Sequence, residues 1–320
     1  MDAPVPSRAR VIDDAKRLSP PTVSAVVSTR NRPHHAHPCA TSILANPDLF
    51  ELVFVDQSDD RKTEAALSTI RDPRFSYVRS DLRGVTNGRN VGIELTTGDV
   101  IAFTDDDCRA SADWVARIAR IFADDSDVAV VCGRVQVPDE VQERGFTTAF
   151  EPKVREWQGR FPAPEDDWGI TANMSLRRSA LPRVGLFDPF LGAGAPLRSG
   201  GEPDFLFRVL KEGLKVVNAN EVVVDHLGAR AHGDESARLL KNYASGTAAA
   251  FFKYVRLGDI DGTLLYLKHL RGCGKLILTN ALHLHRPLGI GYTLAFLQGS
   301  VASFKYRVDR SRRVYAAPRG

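Results

Sequence analysis

Residues 88–108 read GRNVGIELTTGDVIAFTDDDC, and their pattern indicates the fold class. The pattern predicts a helix that ends near Leu95, then an apolar strand over 100–104, then three consecutive aspartates. Two earlier runs, TVSAVVST at 22–29 and ELVFVD at 51–56, have the same form, because each is an apolar strand that opens into polar residues. Since these strands alternate with predicted helices, we expect an α/β fold with a mostly parallel central sheet covered on both faces.

Polar clusters follow three of the predicted strands, at the point where each strand ends. They are Arg30–Asn31–Arg32, Asp56–Gln57–Ser58 and Asp105–Asp106–Asp107. In open α/β sheets the ligand binds outside the carboxyl ends of the strands, so we expect these clusters to line one site. No GxGxxG follows the first strand, and no GxxxxGK[ST] occurs in the sequence. Both a dinucleotide-binding dehydrogenase and a P-loop enzyme are therefore disfavoured.

The composition is that of a soluble globular protein, with 320 residues of which 43% are hydrophobic and 26% charged. This balance excludes collagen-like and low-complexity chains. The four cysteines form no CxxC pair, which disfavours a zinc ribbon or a dithiol redox site and favours reduced thiols in the cytoplasm. Residues 1–20 have no apolar core, so we interpret them as a mobile leader rather than a secretory signal.

The charge is unevenly distributed along the chain. Residues 250–320 carry 12 Lys or Arg and 3 Asp or Glu, a net charge of +9, whereas the first 249 residues have a net charge of −5. Residues 288–304 contain no charge, and the basic run KYRVDRSRR follows them. We expect either an interfacial helix on an anionic membrane surface, or a helix packed on the protein or in a homodimer interface. Nucleic-acid binding is disfavoured, because no base-stacking motif accompanies the arginines.

The aspartate triplet is a candidate metal site. Three adjacent carboxylates repel one another, and a divalent cation such as Mg²⁺ or Mn²⁺ would neutralise them. Asp105 and Asp107 alternate along an extended backbone and can therefore face the same side. The alternative interpretation is a solvated acidic loop or a cap for the next helix, because short acidic clusters are common on protein surfaces.

Five motifs in order make the sequence resemble the family 2 glycosyltransferases, which have a GT-A-type fold. They are VVSTRNRP, FVDQSDD, GRNVGIELTTGDVIAFTDDDC, TANMSLRRSAL and GGEPDFLFRVLKEG, within residues 23–226. The resemblance implies a GT-A-type nucleotide-binding sandwich over 21–235, with a nucleotide-binding half at about 21–135 and an acceptor half at about 136–235. Residues 236–320 would form a helical, basic C-terminal region.

The resemblance also implies an activity. The family moves a sugar from a nucleotide sugar, here UDP- or GDP-linked, to an acceptor hydroxyl, usually with inversion and with Mg²⁺ or Mn²⁺. The acceptor would be a saccharide or a lipid-linked molecule of cell-envelope polysaccharide, glycolipid or secondary glycoconjugate synthesis. The QxxRW motif of processive synthases is absent, which favours the addition of one sugar. The alternatives are a noncatalytic nucleotide-sugar- or carbohydrate-binding protein on the same fold, and a nucleotidyltransferase. In the enzyme interpretation the protein would be cytoplasmic, and peripheral on the membrane if its C-terminal region binds there.

The resemblance assigns roles to the residues that match its motifs. The residues implied to bind the nucleotide sugar are Thr29, Arg32, Asp56, Arg89, Asn90 and Asp106. The implied metal ligands are Asp105, Asp107 and His226, and the implied acceptor or sugar pocket contains Trp168, Asn173 and Met174. Other interpretations stay open for four of them. Asn90 could be a cap or packing residue, Asp56 a turn former and Trp168 a core residue. His226 could be a polar residue at a strand end, and His232 is a close competitor for its role.

Inverting transfer needs a carboxylate that takes the proton of the acceptor hydroxyl. The family usually shows Glu-Asp, one further residue, then a second acid and an apolar residue. Aligning Asp204 and Phe205 with the final pair puts Glu202 at the catalytic position and Gly201 where the preceding acid normally stands. We favour Glu202 as the base and give Asp204 a supporting role at the helix N-terminus, with the choice between them open. The glycines of residues 192–201 favour a loop that closes over substrate.

Overall fold

A computed structural model describes residues 20–153, 156–163, 166, 168–230, 233–282 and 288–318. All but the last residue of the predicted mobile leader therefore lies outside the described residues. In the described part the strands are β1 Val23–Thr29, β2 Leu49–Asp56, β3 Phe75–Arg79, β4 Val100–Asp105, β5 Cys108–Ala110, β6 Val128–Gln136, β7 Glu156–Trp157, β8 Asn173–Arg177, β9 Lys215–His226, β10 Arg307–Asp309 and β11 Val314–Ala316. The helices in the same part are α1 Pro33–Leu44, α2 Lys62–Leu67, α3 Val85–Leu95, α4 Trp114–Asp124, α5 Asp139–Gln142, α6 Leu181–Val184, α7 Gly201–Lys211, α8 Asp234–Leu257, α9 Ile260–Leu282 and α10 Leu288–Ser303.

One nine-stranded sheet organises the chain, in the order β3-β2-β1-β4-β8-β6-β9-β5, with β7 also paired to β9. The ladders that join β3, β2, β1 and β4 are parallel, whereas β8 runs antiparallel between β4 and β6. The valine-rich strands β1 and β4 are almost wholly buried, because both faces of the sheet are covered. The expected α/β class is confirmed, and the parallel half is the one that contains the aspartate triplet.

Residues 215–226 form the single long strand β9. Its pairing with β6 shifts between Gly133, opposite Ala219, and Arg134, opposite Val223, so the strand absorbs extra residues as an irregularity. The strand therefore continues through the polar NANE sequence at 218–221.

The C-terminal region is helical as expected from α8 to α10, but it ends in the antiparallel hairpin β10–β11. The Asp309 carboxylate accepts hydrogen bonds from the backbone N–H groups of Ser311 and Arg312, at 2.9 and 3.0 Å. Such a side-chain-to-backbone turn favours reversal of the chain over helix continuation. The C-terminal region is therefore mainly helical, as expected, and a short hairpin follows its last helix.

Buried charges attach the C-terminal helices to the sheet domain. The Lys253 ammonium on α8 lies 2.7 Å from the Asp188 carboxylate and 2.6 Å from that of Asp204 on α7, and all three side chains are fully buried. Asp204 also accepts hydrogen bonds from Tyr254 and from Arg208, at 2.8 and 3.2 Å. Two carboxylates and two cations balance in this cluster, so the C-terminal helices and α7 share one charged core.

Removing the ammonium from this cluster should destabilise the whole protein. Lys253→Met would leave Asp188 and Asp204 buried with one counter-charge fewer, which typically costs about 3–5 kcal/mol when a buried pair is broken. Urea unfolding followed by circular dichroism measures the loss. Lys62→Met is the matched control, because the Lys62 side chain is 77% exposed, and it should change stability by no more than about 0.5 kcal/mol. Equal unfolding curves for the two variants would contradict the structural role of Lys253.

Candidate active site

The aspartate triplet lies at the carboxyl end of β4, beside the end of β1. The Thr29 hydroxyl, at the end of β1, donates to the Asp106 carboxylate at 2.6 Å. One nitrogen of Arg32, from the loop after β1, lies 2.9 Å from Asp106 and 2.8 Å from Asp107. Burial raises the pKa of Asp106 to about 6, although the Arg32 charge opposes the shift. Thr29 and Arg32 therefore lie against the triplet, as the motif order implies.

Asp107 and His226 meet where β5 pairs with β9. The antiparallel register places Cys108 opposite His226, and His226 Nε2 lies 3.2 Å from Asp107 Oδ1. Burial alone would raise the pKa of Asp107, but the hydrogen bond and charge of His226, together with Arg32, hold it below its usual range. Burial alone would lower the pKa of His226, but the Asp107 carboxylate outweighs burial, so the pKa of His226 lies above its usual value.

The donor atoms of Asp107, Cys108 and His226 all lie within 4.8 Å of one another, so this cluster can hold a metal ion. His226 Nδ1 is 2.8 Å from the Thr148 carbonyl oxygen, and donation to that carbonyl leaves Nε2 as the ligand atom. Burial raises the pKa of the Cys108 thiol well above its usual value, so the thiol stays protonated beside the carboxylate. A carboxylate and an imidazole oriented by a backbone carbonyl are suitable ligands for a divalent metal ion.

Asp105, the third implied ligand, has a different neighbour. Its Oδ1 lies 2.9 Å from Arg89 Nη2, and the other Arg89 nitrogen, Nη1, lies 3.5 Å from Glu202 Oε1. The Arg89 side chain is 4% exposed, whereas Glu202 retains 24% exposure. One buried guanidinium thus connects the end of β4 with the start of α7.

Two glycines allow α3 to carry Arg89 into this position. A Cβ on Gly88 would lie 2.1 Å from Ser28 Oγ, and one on Gly92 would lie 2.2 Å from Val26 Cγ1. Both residues therefore let the helix pack directly on β1. The helix is held at the distance from the sheet that brings its arginine to Asp105.

Glu202 is fixed from two further sides. The Thr171 hydroxyl donates to Glu202 Oε1 at 2.6 Å. In the preceding loop, Gly200 has φ +85°, and a Cβ there would lie 2.4 Å from the Gly246 carbonyl oxygen of α8. The loop of residues 192–201 is therefore packed against α8 in this structure, and its closure over substrate stays a prediction.

Three residues that the resemblance assigns to the site are buried and have structural roles. Asp204 is fully buried among Lys253, Tyr254 and Arg208, so its carboxylate cannot reach an acceptor, and its interpretation as a catalytic residue was wrong. Asn173 is fully buried too, and its amide accepts from the Trp114 indole and donates to the carbonyls of Arg134 and Val222. Met174 lies in the hydrophobic core. Neither Asn173 nor Met174 lines a sugar pocket, because β8 is covered on both faces.

The roles of Asn90, Asp56 and Trp168 stay open. The Asn90 side chain donates to the Phe187 carbonyl and accepts from the Phe187 N–H, which is the packing alternative. Asp56 is fully buried, and its carboxylate accepts from Tyr77 and from the Ser58 N–H, both at 2.8 Å. Trp168 packs between the two larger apolar clusters, 5.7 Å from the Phe251 ring. Contacts of Asp56 with a nucleotide base and of Trp168 with an acceptor stay predictions.

Sequence reasoning missed four residues that shape this site, namely Thr148, Thr171, Cys108 and Lys253. Thr148 acts through its backbone carbonyl, which no side-chain motif can signal. Thr171 is the first residue of the TANMSL motif, but its contact with Glu202 joins residues 31 positions apart, which the motif does not reveal. Only Cys108, adjacent to the triplet, could have been found by inspection.

The match to a known family agrees with this geometry. A sequence model of the family described as Glycosyl transferase family 2 matches residues 24–185, slightly more than half of the chain. The chain belongs to this family. It is 28% identical over 192 residues to a glucosyl-dolichyl phosphate glucuronosyltransferase of Haloferax volcanii, covering 53% of this chain and 57% of that protein. Over 213 residues it is 25% identical to glycosyltransferase AglE of the same organism, covering 64% of this chain and 67% of that protein.

A solved structure resembles the fold over most of its length. It is a mannosyltransferase, PcManGT from Pyrobaculum calidifontis, in complex with GDP-Man and Mn²⁺. The TM-score is 0.58 at 17% sequence identity, and the match covers 90% of this chain and 87% of that one. At this identity the likeness concerns the fold, and it confirms the expected GT-A type. The chain spans little more than half the length of the glucuronosyltransferase relative.

The metal site can be tested without any acceptor. We expect Asp107→Asn to weaken the Mn²⁺-dependent part of UDP or GDP binding by at least about tenfold, since loss of even an outer-shell partner typically costs about 10–100-fold in metal affinity. Calorimetric titration of each nucleotide with and without Mn²⁺ measures this. Asp124→Asn is the control, because its side chain is 69% exposed on α4, and it should bind like the parent protein. Unchanged Mn²⁺-dependent binding in Asp107→Asn would refute the assignment.

Proposed function

We propose that this protein transfers one sugar from a UDP- or GDP-linked donor to an acceptor hydroxyl, with inversion at the anomeric carbon and with Mg²⁺ or Mn²⁺ as cofactor. The acceptor is a saccharide or a lipid-linked molecule of cell-envelope polysaccharide, glycolipid or other glycoconjugate synthesis. Family membership supports the reaction class. The donor is proposed from the family and from the GDP-Man complex of the structural neighbour.

One observation carries the proposal. Arg89 ion-pairs with Asp105, in the triplet, and lies 3.5 Å from Glu202, a carboxylate that is still partly exposed. A group able to take a proton is therefore next to the cluster that would receive the donor diphosphate. Inverting transfer requires this juxtaposition, because the acceptor hydroxyl must lose its proton as it attacks the sugar.

The donor side would be held by the strand-end residues. Asp107 and His226 would hold the cation, which, when bound, offsets the charge of the diphosphate leaving group. Arg32 is 39% exposed and now neutralises Asp106 and Asp107, so it can also meet an incoming phosphate oxygen. Thr29 and Asp106 would bind the donor beside it. Each of these groups presents charge or hydrogen bonds in a fixed arrangement before the donor arrives.

Glu202 would act on the acceptor. Thr171 donates to one of its oxygens and Arg89 lies beside the same oxygen, so the carboxylate is held in one orientation while part of it stays accessible. Glu202 would accept the proton of the acceptor hydroxyl as the new glycosidic bond forms. Asp204 contributes only indirectly, because its ion pair with Lys253 anchors the first turn of α7.

A single substitution separates a transferase from a noncatalytic binding protein. Glu202→Gln keeps the size and the Thr171 hydrogen bond but removes the ability to take a proton. We expect donor affinity to stay within a few-fold and turnover to fall about 10²–10⁴-fold, the typical effect of losing a general base. Mn²⁺-dependent release of UDP or GDP in the presence of acceptor measures turnover, and calorimetry measures donor binding.

Glu221→Gln provides the matched control, because Glu221 is an exposed carboxylate on β9, and it should retain full turnover. Equal turnover of the Glu202→Gln variant and the parent would disprove the assignment of the base. Donor binding without turnover in the parent, across a panel of saccharide and lipid-linked acceptors, would instead favour the binding-protein alternative.

A further inference from the structure

Helix α10 exposes a continuous apolar stripe, formed by Ile290, Leu294, Leu297, Val301 and Phe304 just beyond its end. The five side chains are 43–68% exposed. Their spacing of four, three, four and three residues places them on one face of the helix. Isolated exposed leucines are ordinary, but an uninterrupted row of five large apolar side chains marks an interaction surface.

The opposite face of α10 is firmly docked, so the stripe is presented in a fixed orientation. Phe296 is 1% exposed, and Ser300 shares a hydrogen bond of 2.9 Å with Tyr266 of α9. A Cβ on Gly299 would lie 2.0 Å from the Ser245 carbonyl oxygen of α8, so the two helices are in backbone contact there. The exposed stripe therefore does not result from a loosely attached helix.

A cationic groove lies beside the stripe, between α8, α10 and the loop before α7. It has a volume of about 430 Å³ and its walls include Arg198, Lys241 and Lys305. Leu294 belongs to both the stripe and the groove. None of the described residues that line the groove is acidic. Among the described residues, none of Arg198, Lys241 and Lys305 forms an ion pair.

Arg198 is held in this wall at a conformational cost. Its φ is +71°, in the left-handed region that residues other than glycine rarely adopt. Its guanidinium donates to the Asn242 side chain at 3.2 Å, which fixes it beside Lys241. Strain of this kind persists where the surrounding structure requires the residue at that position.

The apolar stripe and the cationic groove together are complementary to a lipid–water interface. An apolar stripe alone would also suit a second protein. The groove contains three cations, however, and the adjoining hairpin exposes Arg307, Arg310 and Arg312. These positive charges favour an anionic partner. A second copy of this chain would bring two regions of like charge together. No helix of the described residues is long and apolar enough to cross a bilayer.

We propose that the α10 stripe and the cationic groove dock the protein on a bilayer that contains anionic lipids. The stripe inserts among the headgroups to the level of the acyl chains, and the phosphate of an anionic lipid binds between Arg198, Lys241 and Lys305. Arg198 is four residues before Glu202, so docking would also bring the segment that leads to Glu202 near the lipid surface. The docking itself does not depend on the transferase activity.

Vesicle co-sedimentation of the full chain tests this inference. Phosphatidylcholine vesicles with and without phosphatidylglycerol are the probes. We expect sedimentation with the anionic vesicles, little with the neutral ones, and a decrease as salt is raised. Leu297→Ser combined with Val301→Ser should reduce the partition coefficient by at least about tenfold, because apolar area no longer leaves water. Lys241→Gln combined with Lys305→Gln should also reduce it by about tenfold or more.

The control variant is Arg61→Gln combined with Lys62→Gln, which removes two exposed positive charges from the nucleotide-binding half. It should sediment like the parent within about threefold, and thermal melts should show that all variants are folded. Equal sedimentation of the stripe, groove and control variants would overturn the proposal. So would light scattering that shows a dimer in the parent and a monomer in the stripe variant, without vesicle binding by either.

Discussion

Three adjacent carboxylates at the end of β4 impose the constraint on which the rest of the site depends. Like charges so close together, and largely buried at Asp106 and Asp107, need counter-charges from elsewhere in the chain. The structure supplies Arg32 from the loop after β1, Arg89 from α3 and His226 from the end of β9. Segments more than a hundred residues apart in sequence therefore converge on one sheet edge. The same arrangement that neutralises the triplet in the free protein also provides the groups that a metal and a diphosphate require.

A second charged cluster extends this arrangement to the C-terminal helices. Lys253 of α8 pairs with Asp204 on the first turn of α7, two residues after Glu202. The candidate base is consequently held between the triplet, through Arg89, and the C-terminal helices, through α7. These helices are thus part of the framework that positions the acceptor side. If α10 docks on lipid, the same framework fixes the distance between the lipid surface and Glu202.

The sequence predicted the sheet and its functional edge because both are encoded locally. Apolar runs that end in polar residues identify buried strands and their carboxyl ends, and the order of five motifs identifies the family. Burial and pairing across the fold are not local, and the errors arose there. Asn173 and Met174 lie on β8, which is covered on both faces, and motif matching cannot tell an open strand from a covered one. Asp204 could not be told from a catalytic acid, because its partner Lys253 is 49 residues further along the chain.

We interpret the end of β4 as a site for a divalent cation and a nucleotide diphosphate. A crystal structure with Mn²⁺ and GDP or UDP, with anomalous difference maps collected for manganese, tests it most directly. We expect an anomalous peak bound by Asp107 and His226, with the diphosphate beside it and Arg32 in contact with the ligand. A bound nucleotide whose manganese peak lies away from Asp107 and His226, or a nucleotide bound at another edge of the sheet, would rule out this metal and diphosphate site.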